Sequence, residues 1–182
     1  MLKNIRDIQV YHGSYTEVQI PDLKKCRANK DFGKGFYITT DKKQAEKFAK
    51  LIARRAKMSY GVLNVYHLSD LDNLSTYHFK TADLEWLNCV SGNRNTDYHK
   101  LAEEWEKYDV LSGKVADDDT STVINAYLSG LLGEVGSESA GRIAIDRLEP
   151  ENLKNQFCLR SDKALEKIEF VKSEVIPIGK RG

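Results

Sequence analysis

Asp31-Phe32-Gly33-Lys34-Gly35-Phe36-Tyr37-Ile38-Thr39-Thr40 is the stretch on which the reading of this chain turns. Two glycines flank a lysine and lead into a short apolar run, residues 36–38, closed by two threonines. Isolated glycines beside a strand mark places where backbone approaches something closely. Here they are expected to leave room above the backbone at Gly35, with Tyr37 offering a flat face for an aromatic ring. Taken alone, the pattern describes a core tyrosine behind a loop better.

Upstream, residues 8–12 alternate as a strand that ends in Tyr11-His12-Gly13-Ser14. A histidine at a strand end followed by glycine sets an imidazole beside exposed backbone. A planar amide can pair with the N–H and C=O of Gly13 while His12 donates to a sugar hydroxyl; a half-buried histidine in a turn is the alternative. Residues 14–34 between the two segments are polar and irregular, with Pro21 and the Lys24-Lys25 pair. Arg27 lies there, either as a bidentate partner for a pyrophosphate or as a surface arginine. Asn29 and Asp31 are placed to brace the same loop.

Downstream, residues 41–58 carry Ala45, Phe48, Ala49, Ile52, Ala53 and Ala56 at helical spacing, and Asp41 with Gln44 forms a capping box. Lys43, Lys47, Lys50, Arg54 and Lys57 cover the other face, which reads first as a solvated surface, with a nucleic-acid patch as the lesser alternative. Further strands are expected at 62–68, 77–79 and 157–159, and an extended end at 170–176. Helices are expected at 81–90, capped by Thr81, and at 122–132, 139–148 and 161–168. Residues 108–111 form another apolar run. Strands gather at the two ends and helices in the middle, which predicts an α+β fold. No Gly-x-Gly-x-x-Gly follows a strand, so a Rossmann mode of dinucleotide binding is excluded.

A third segment, Asn155-Gln156-Phe157-Cys158-Leu159-Arg160, opens a buried strand with polar residues, and the Gln156 amide suits a sugar hydroxyl. The 182 residues predict one domain, and 28 basic against 27 acidic residues leave a net charge of +1, with no global field for nucleic acid or membrane. No apolar run is long enough to cross a bilayer, and the charged N-terminus lacks a secretory signal, so a cytoplasmic location is expected. Cys26, Cys89 and Cys158 read as reduced thiols. Asp117, Asp118 and Asp119 read as a helix N-terminus, since they lack the rest of a calcium loop, and no metal site is expected.

Taken together and in this order, the three segments resemble the ADP-ribosyltransferase superfamily, in the His-Tyr-Glu branch that includes the poly(ADP-ribose) polymerases. His12-Gly13-Ser14 and Phe32-Gly33-Lys34-Gly35-Phe36-Tyr37 match its first two signatures. The whole chain is similar to a bacterial domain-of-unknown-function family grouped with these transferases. The resemblance implies a split, mostly antiparallel β core with a helical insertion over about 81–148. It implies NAD as substrate, held by His12, Gly13, Ser14, Arg27, Gly35, Tyr37 and Phe48. It implies His12, Tyr37 and Gln156 as the catalytic set. The branch carries glutamate where this chain has Gln156, which keeps a hydrogen bond and loses a charge. Single ADP-ribose transfer to a macromolecule is therefore expected in place of chain elongation, with a catalytically silent NAD- or ADP-ribose-binding or interaction module as the alternative. The resemblance also implies a toxin or conflict-system setting, with an antitoxin or modulator protein as partner.

Overall fold

A computed structural model describes residues 5–116, 118–148 and 154–179, with the backbone alone at 118 and 119. The chain is α+β and its strands form two sheets. The first sheet is antiparallel, in the order β1 (Arg6–Ser14), β3 (Tyr60–Asp70), β7 (Ile168–Pro177). The second runs β2 (Phe36–Ile38), β6 (Asn155–Leu159), β5 (Val110–Lys114), β4 (Thr76–His78), with β4 and β5 parallel and the other pairs antiparallel. One bridge, Tyr11 to Thr39, joins β1 to β2 and so links the sheets.

Apolar residues from both sheets meet in one core. Val10, Tyr66 and Leu68 come from the first sheet, and Phe36, Ile38, Val110, Phe157 and Leu159 from the second. A second core fills the space between the second sheet and α2 (Leu84–Arg94), α3 (Asp118–Leu128) and α4 (Glu138–Asp146). Trp86, Leu87, Val90, Ile124 and Tyr127 are buried there, and the Trp86 indole donates to the Lys114 carbonyl at 2.9 Å. Full burial of side chains of this size contributes about 1.5–3 kcal/mol each. Residues 81–148 are thus not purely helical, because they include β5, an interior strand of the second sheet.

The helix α1 (Lys42–Arg55) starts where the capping box predicts, with the Asp41 carboxylate accepting from the Gln44 amide at 3.1 Å. It buries Ala45, Ala49 and Ala53 against β1 and β3. It ends in a turn where Lys57 takes a left-handed φ of 56° and the Met58 amide returns to the Ala53 carbonyl.

Other boundaries differ from expectation. The helix predicted from Thr81 begins at Leu84, capped by the Asp83 carboxylate, because Phe79 and Ala82 are needed in the core as connector. The helix after Ser161, α5 (Asp162–Leu165), is short because Ile168 already pairs with Leu68. The helix expected at 122–132 begins at Asp118. Asp117 and the side chains of Asp118 and Asp119 lie outside the described residues, and with them the capping expectation. Among the described residues, no helix is long and apolar enough to cross a membrane.

Candidate functional site

The junction of the sheets is where the sequence-predicted residues meet. Tyr11 and Thr39 exchange both backbone hydrogen bonds, at 2.8 and 3.0 Å. In a continuing antiparallel ladder the next bonded pair would be Gly13 and Tyr37. No bridge forms there. Instead His12 Nδ1 lies 2.7 Å from the Tyr37 carbonyl oxygen. Residues two apart turn their N–H and C=O to the same edge, so the Gly13 peptide groups face β2 as those of Tyr11 do. The strands part at this point, with the imidazole as the wedge.

The tautomer of His12 follows from its partner. A carbonyl only accepts, so Nδ1 carries the proton and donates, and Nε2 of the neutral ring is an acceptor. Burial pushes the His12 pKa down, and the bond to Tyr37 opposes that in part. The expectation that His12 donates to a hydroxyl is therefore corrected: the neutral ring offers Nε2 to a hydroxyl that donates to it. The sign for stability is also set. A lowered folded-state value means that this contribution is intact above the ordinary value of 6.5 and is lost as pH falls below it, through the lowered value. His78 is lowered too, by burial first, with the same sign. The urea midpoint of the wild-type chain should fall more between pH 7.5 and 5.5 than that of His12→Gln, which lacks the His12 part and keeps that of His78.

Tyr37 meets His12 through its backbone and not ring to ring. The His12 ring lies against Phe36, with centroids 4.4 Å apart. Tyr37 packs on the opposite side of β2, against the helical core. Its hydroxyl donates to the Gly33 carbonyl at 2.8 Å and accepts from the Phe32 amide at 3.0 Å. Burial raises its pKa well above the ordinary value. Tyr37 thus ties the glycine loop to β2.

The room expected above Gly35 is taken by the protein itself. A Cβ there would lie 2.4 Å from Cys158 Sγ and 2.7 Å from the Leu159 carbonyl oxygen. Ser14 is buried, and its hydroxyl accepts from the Thr16 amide at 3.4 Å. Phe48 is 41% exposed on α1 and stacks on no ring among the described residues. Arg27 is exposed, without an ion pair among the described residues. A groove lined by Lys34, Tyr108 and Arg160 lies toward the other end of the β2–β6 pairing, and neither His12 nor Tyr37 lines it.

Gln156 is buried, and its amide nitrogen donates to Asp31 Oδ2 at 2.7 Å. One N–H of this amide is therefore engaged within the protein by Asp31, where the sequence reading expected an amide open to a sugar. Asp31 is the centre of this arrangement. Its Oδ2 also accepts from the Ala116 amide at 3.0 Å, and its Oδ1 from Arg94 Nε and Nη2 at 2.9 and 2.7 Å. Asp31 does brace its loop, as expected, but the partner Arg94 was not anticipated. The two lie 63 positions apart, and no local spacing links them. Asn64 and Tyr66 were also missed. Asn64 accepts from the Val18 amide at 2.8 Å and donates to the Thr16 carbonyl at 3.2 Å, while the Tyr66 hydroxyl donates to the Val18 carbonyl. Both come from β3 and pin the segment that follows Ser14.

Cys89 and Cys158 are buried free thiols whose pKa values burial pushes up to about 12, which makes them poor nucleophiles. Cys26 is half-buried and is raised as well, burial leading again. Among the described residues, no group of three or more His, Cys, Asp and Glu side chains could hold a metal ion.

The chain belongs to the family described as Protein of unknown function (DUF3990), whose model matches residues 8–170. No curated protein and no solved structure matches it.

Proposed function

We propose that the junction binds NAD and that the chain transfers one ADP-ribose from it to a macromolecule. One observation carries the reading: β1 leaves β2 after a single bridge, and His12 takes the Tyr37 carbonyl that would otherwise pair with Gly13. A strand edge left unpaired in this way, at the buried Gly13, presents a donor and an acceptor side by side, the complement of a carboxamide such as that of nicotinamide. His12 Nε2 is then the acceptor for a ribose hydroxyl. The resemblance of His12-Gly13-Ser14 and of the Gly33-to-Tyr37 segment to the ADP-ribosyltransferases supports the same assignment, with a split β core as its fold.

In the reaction the bond from ribose C1′ to nicotinamide breaks and its electron pair leaves with nicotinamide. A lone pair on the acceptor forms the new bond to C1′, and the acceptor gives up its proton to solvent or a nearby base. Gln156 stands where the resemblance places a carboxylate. Its engaged amide favours a second reading, an NAD-binding module without transfer. An antitoxin or modulator protein as partner belongs to the first reading.

Thermal unfolding with millimolar NAD separates these outcomes. Binding to the native state must raise the melting temperature. The increase should disappear in His12→Ala, whose own melting temperature is measured as reference. Label from NAD retained on lysate macromolecules supports transfer, and a thermal shift without label supports the module. No shift at any NAD concentration up to the millimolar range overturns both.

A further inference from the structure

We propose that the outward face of α1 binds the phosphate backbone of a nucleic acid. Lys43, Lys47, Lys50 and Arg54 follow one another at intervals of four, three and four, which sets them in one stripe along the helix. The stripe is about 17 Å long at the helical rise. The buried Ala45, Ala49 and Ala53 hold a different face against the sheet. Glu46 is the only acid within α1, against six lysines and arginines. None of the four stripe residues has an ion pair among the described residues, whereas Lys42 on the flank is bound by Glu174 at 2.8 Å.

Part of this arrangement opposes the helix that bears it, although Arg54 in the last turn suits the dipole. Like charges four apart, as at Lys43–Lys47 and Lys50–Arg54, destabilise a helix. A lysine in the first turn opposes the dipole. The Asp41 cap offsets the dipole term, and Glu46, three after Lys43 and four before Lys50, offsets part of the repulsion, but six basic residues against this one acid still concentrate positive charge on α1 in a chain of net charge +1. The positive region continues past the C-terminal end of α1. Arg55, like Arg27, acts on the half-buried Lys30, whose pKa is lowered first by burial, with Asp31 opposing and the arginines adding to the shift.

A row of cations at helical spacing suits a row of phosphates. A lipid surface fits less well, because membrane helices insert an apolar face and the apolar face of α1 already lies on β1 and β3. The inference does not rest on the NAD reading, and its test contains no NAD.

Anisotropy of labelled single-stranded RNA, single-stranded DNA and duplex DNA, titrated with the full chain, decides the matter. Contacts from four cations predict a log–log salt slope of about −3 to −4, so affinity should fall roughly a hundredfold between about 50 and 200 mM salt. The double substitution Lys47→Ala, Arg54→Ala should reduce that slope by about two without lowering the melting temperature. The three nucleic acids show which form is preferred, and binding of any of them with this salt response supports the proposal. Absence of binding at low salt overturns it, as does a slope that the double variant leaves intact. Equal or tighter binding to phosphatidylserine vesicles, lost in the same variant, assigns the stripe to lipid and overturns it too.

Discussion

Asp31→Ala should destabilise the folded chain by about 3–5 kcal/mol, the range for removing one partner of a buried ion pair. The Asp31 side chain is 9% exposed and that of Arg94 21%, so water cannot replace the lost carboxylate fully. Arg94 would keep bonds to the Ala116 carbonyl and the Ser121 hydroxyl, but its charge would lose its counter-ion. The Gln156 amide and the Ala116 N–H would lose their acceptor at the same time. Asp31→Asn should recover little. Every partner of Asp31 donates, and an asparagine turns an NH2 group toward two of those donors. Urea unfolding of the wild type and both variants measures this. A loss below 1 kcal/mol in Asp31→Ala would show that water enters the site and that the network adds little.

The same network gives a physical reason for glutamine at 156. A glutamate there would face the Asp31 carboxylate at the 2.7 Å now spanned by an N–H···O bond, and two carboxylates at that distance repel. On the proposed reading, glutamine at the position where the resemblance puts a glutamate is thus tied to Asp31 in the loop before the glycines. A change at one position calls for a change at the other.

How far residues announce their structure depends here on the range of the interactions involved. The start of α1 was legible because the cap and the alanine spacing all lie within 14 residues of one another. β2 was legible for a similar reason, a three-residue apolar run bounded by its own loop. The start of α2 was not, because Thr81 and Asp83 both qualify as caps and the choice is made by Phe79 and Ala82, which pack in the distant helical core. In the candidate site, the sequence order brings His12 and Tyr37 to adjacent strands, but the alternation of β2 decides that His12 meets the Tyr37 carbonyl and the Phe36 ring. Arg94, Asn64 and Tyr66 act across the fold through hydrogen bonds, and nothing in their immediate neighbours marks them out.

Gly13→Ala should cost about 3 kcal/mol or more, at the upper end of overpacking effects. A Cβ at this position would lie 2.2 Å from the Ala45 carbonyl oxygen and 2.7 Å from the Ala49 amide nitrogen. Both are backbone atoms of α1, so no side-chain rotation relieves the clash and the helix itself must move. The helix also packs on Gly61 of the next strand, where a Cβ would stand 2.7 Å from the Ala49 carbonyl, so its displacement would open that contact as well. Gly179→Ala, where a Cβ meets nothing within 4 Å, is the control and should change stability by less than about 0.5 kcal/mol. Urea unfolding without any ligand is the measurement, because it isolates the packing requirement from the proposed role of the Gly13 peptide in the junction. If Gly13→Ala unfolds like the wild type and loses only the thermal shift with NAD, the glycine serves the ligand and not the helix. The clash with α1 predicts the reverse order: stability falls first, and any loss of NAD binding accompanies the displaced helix.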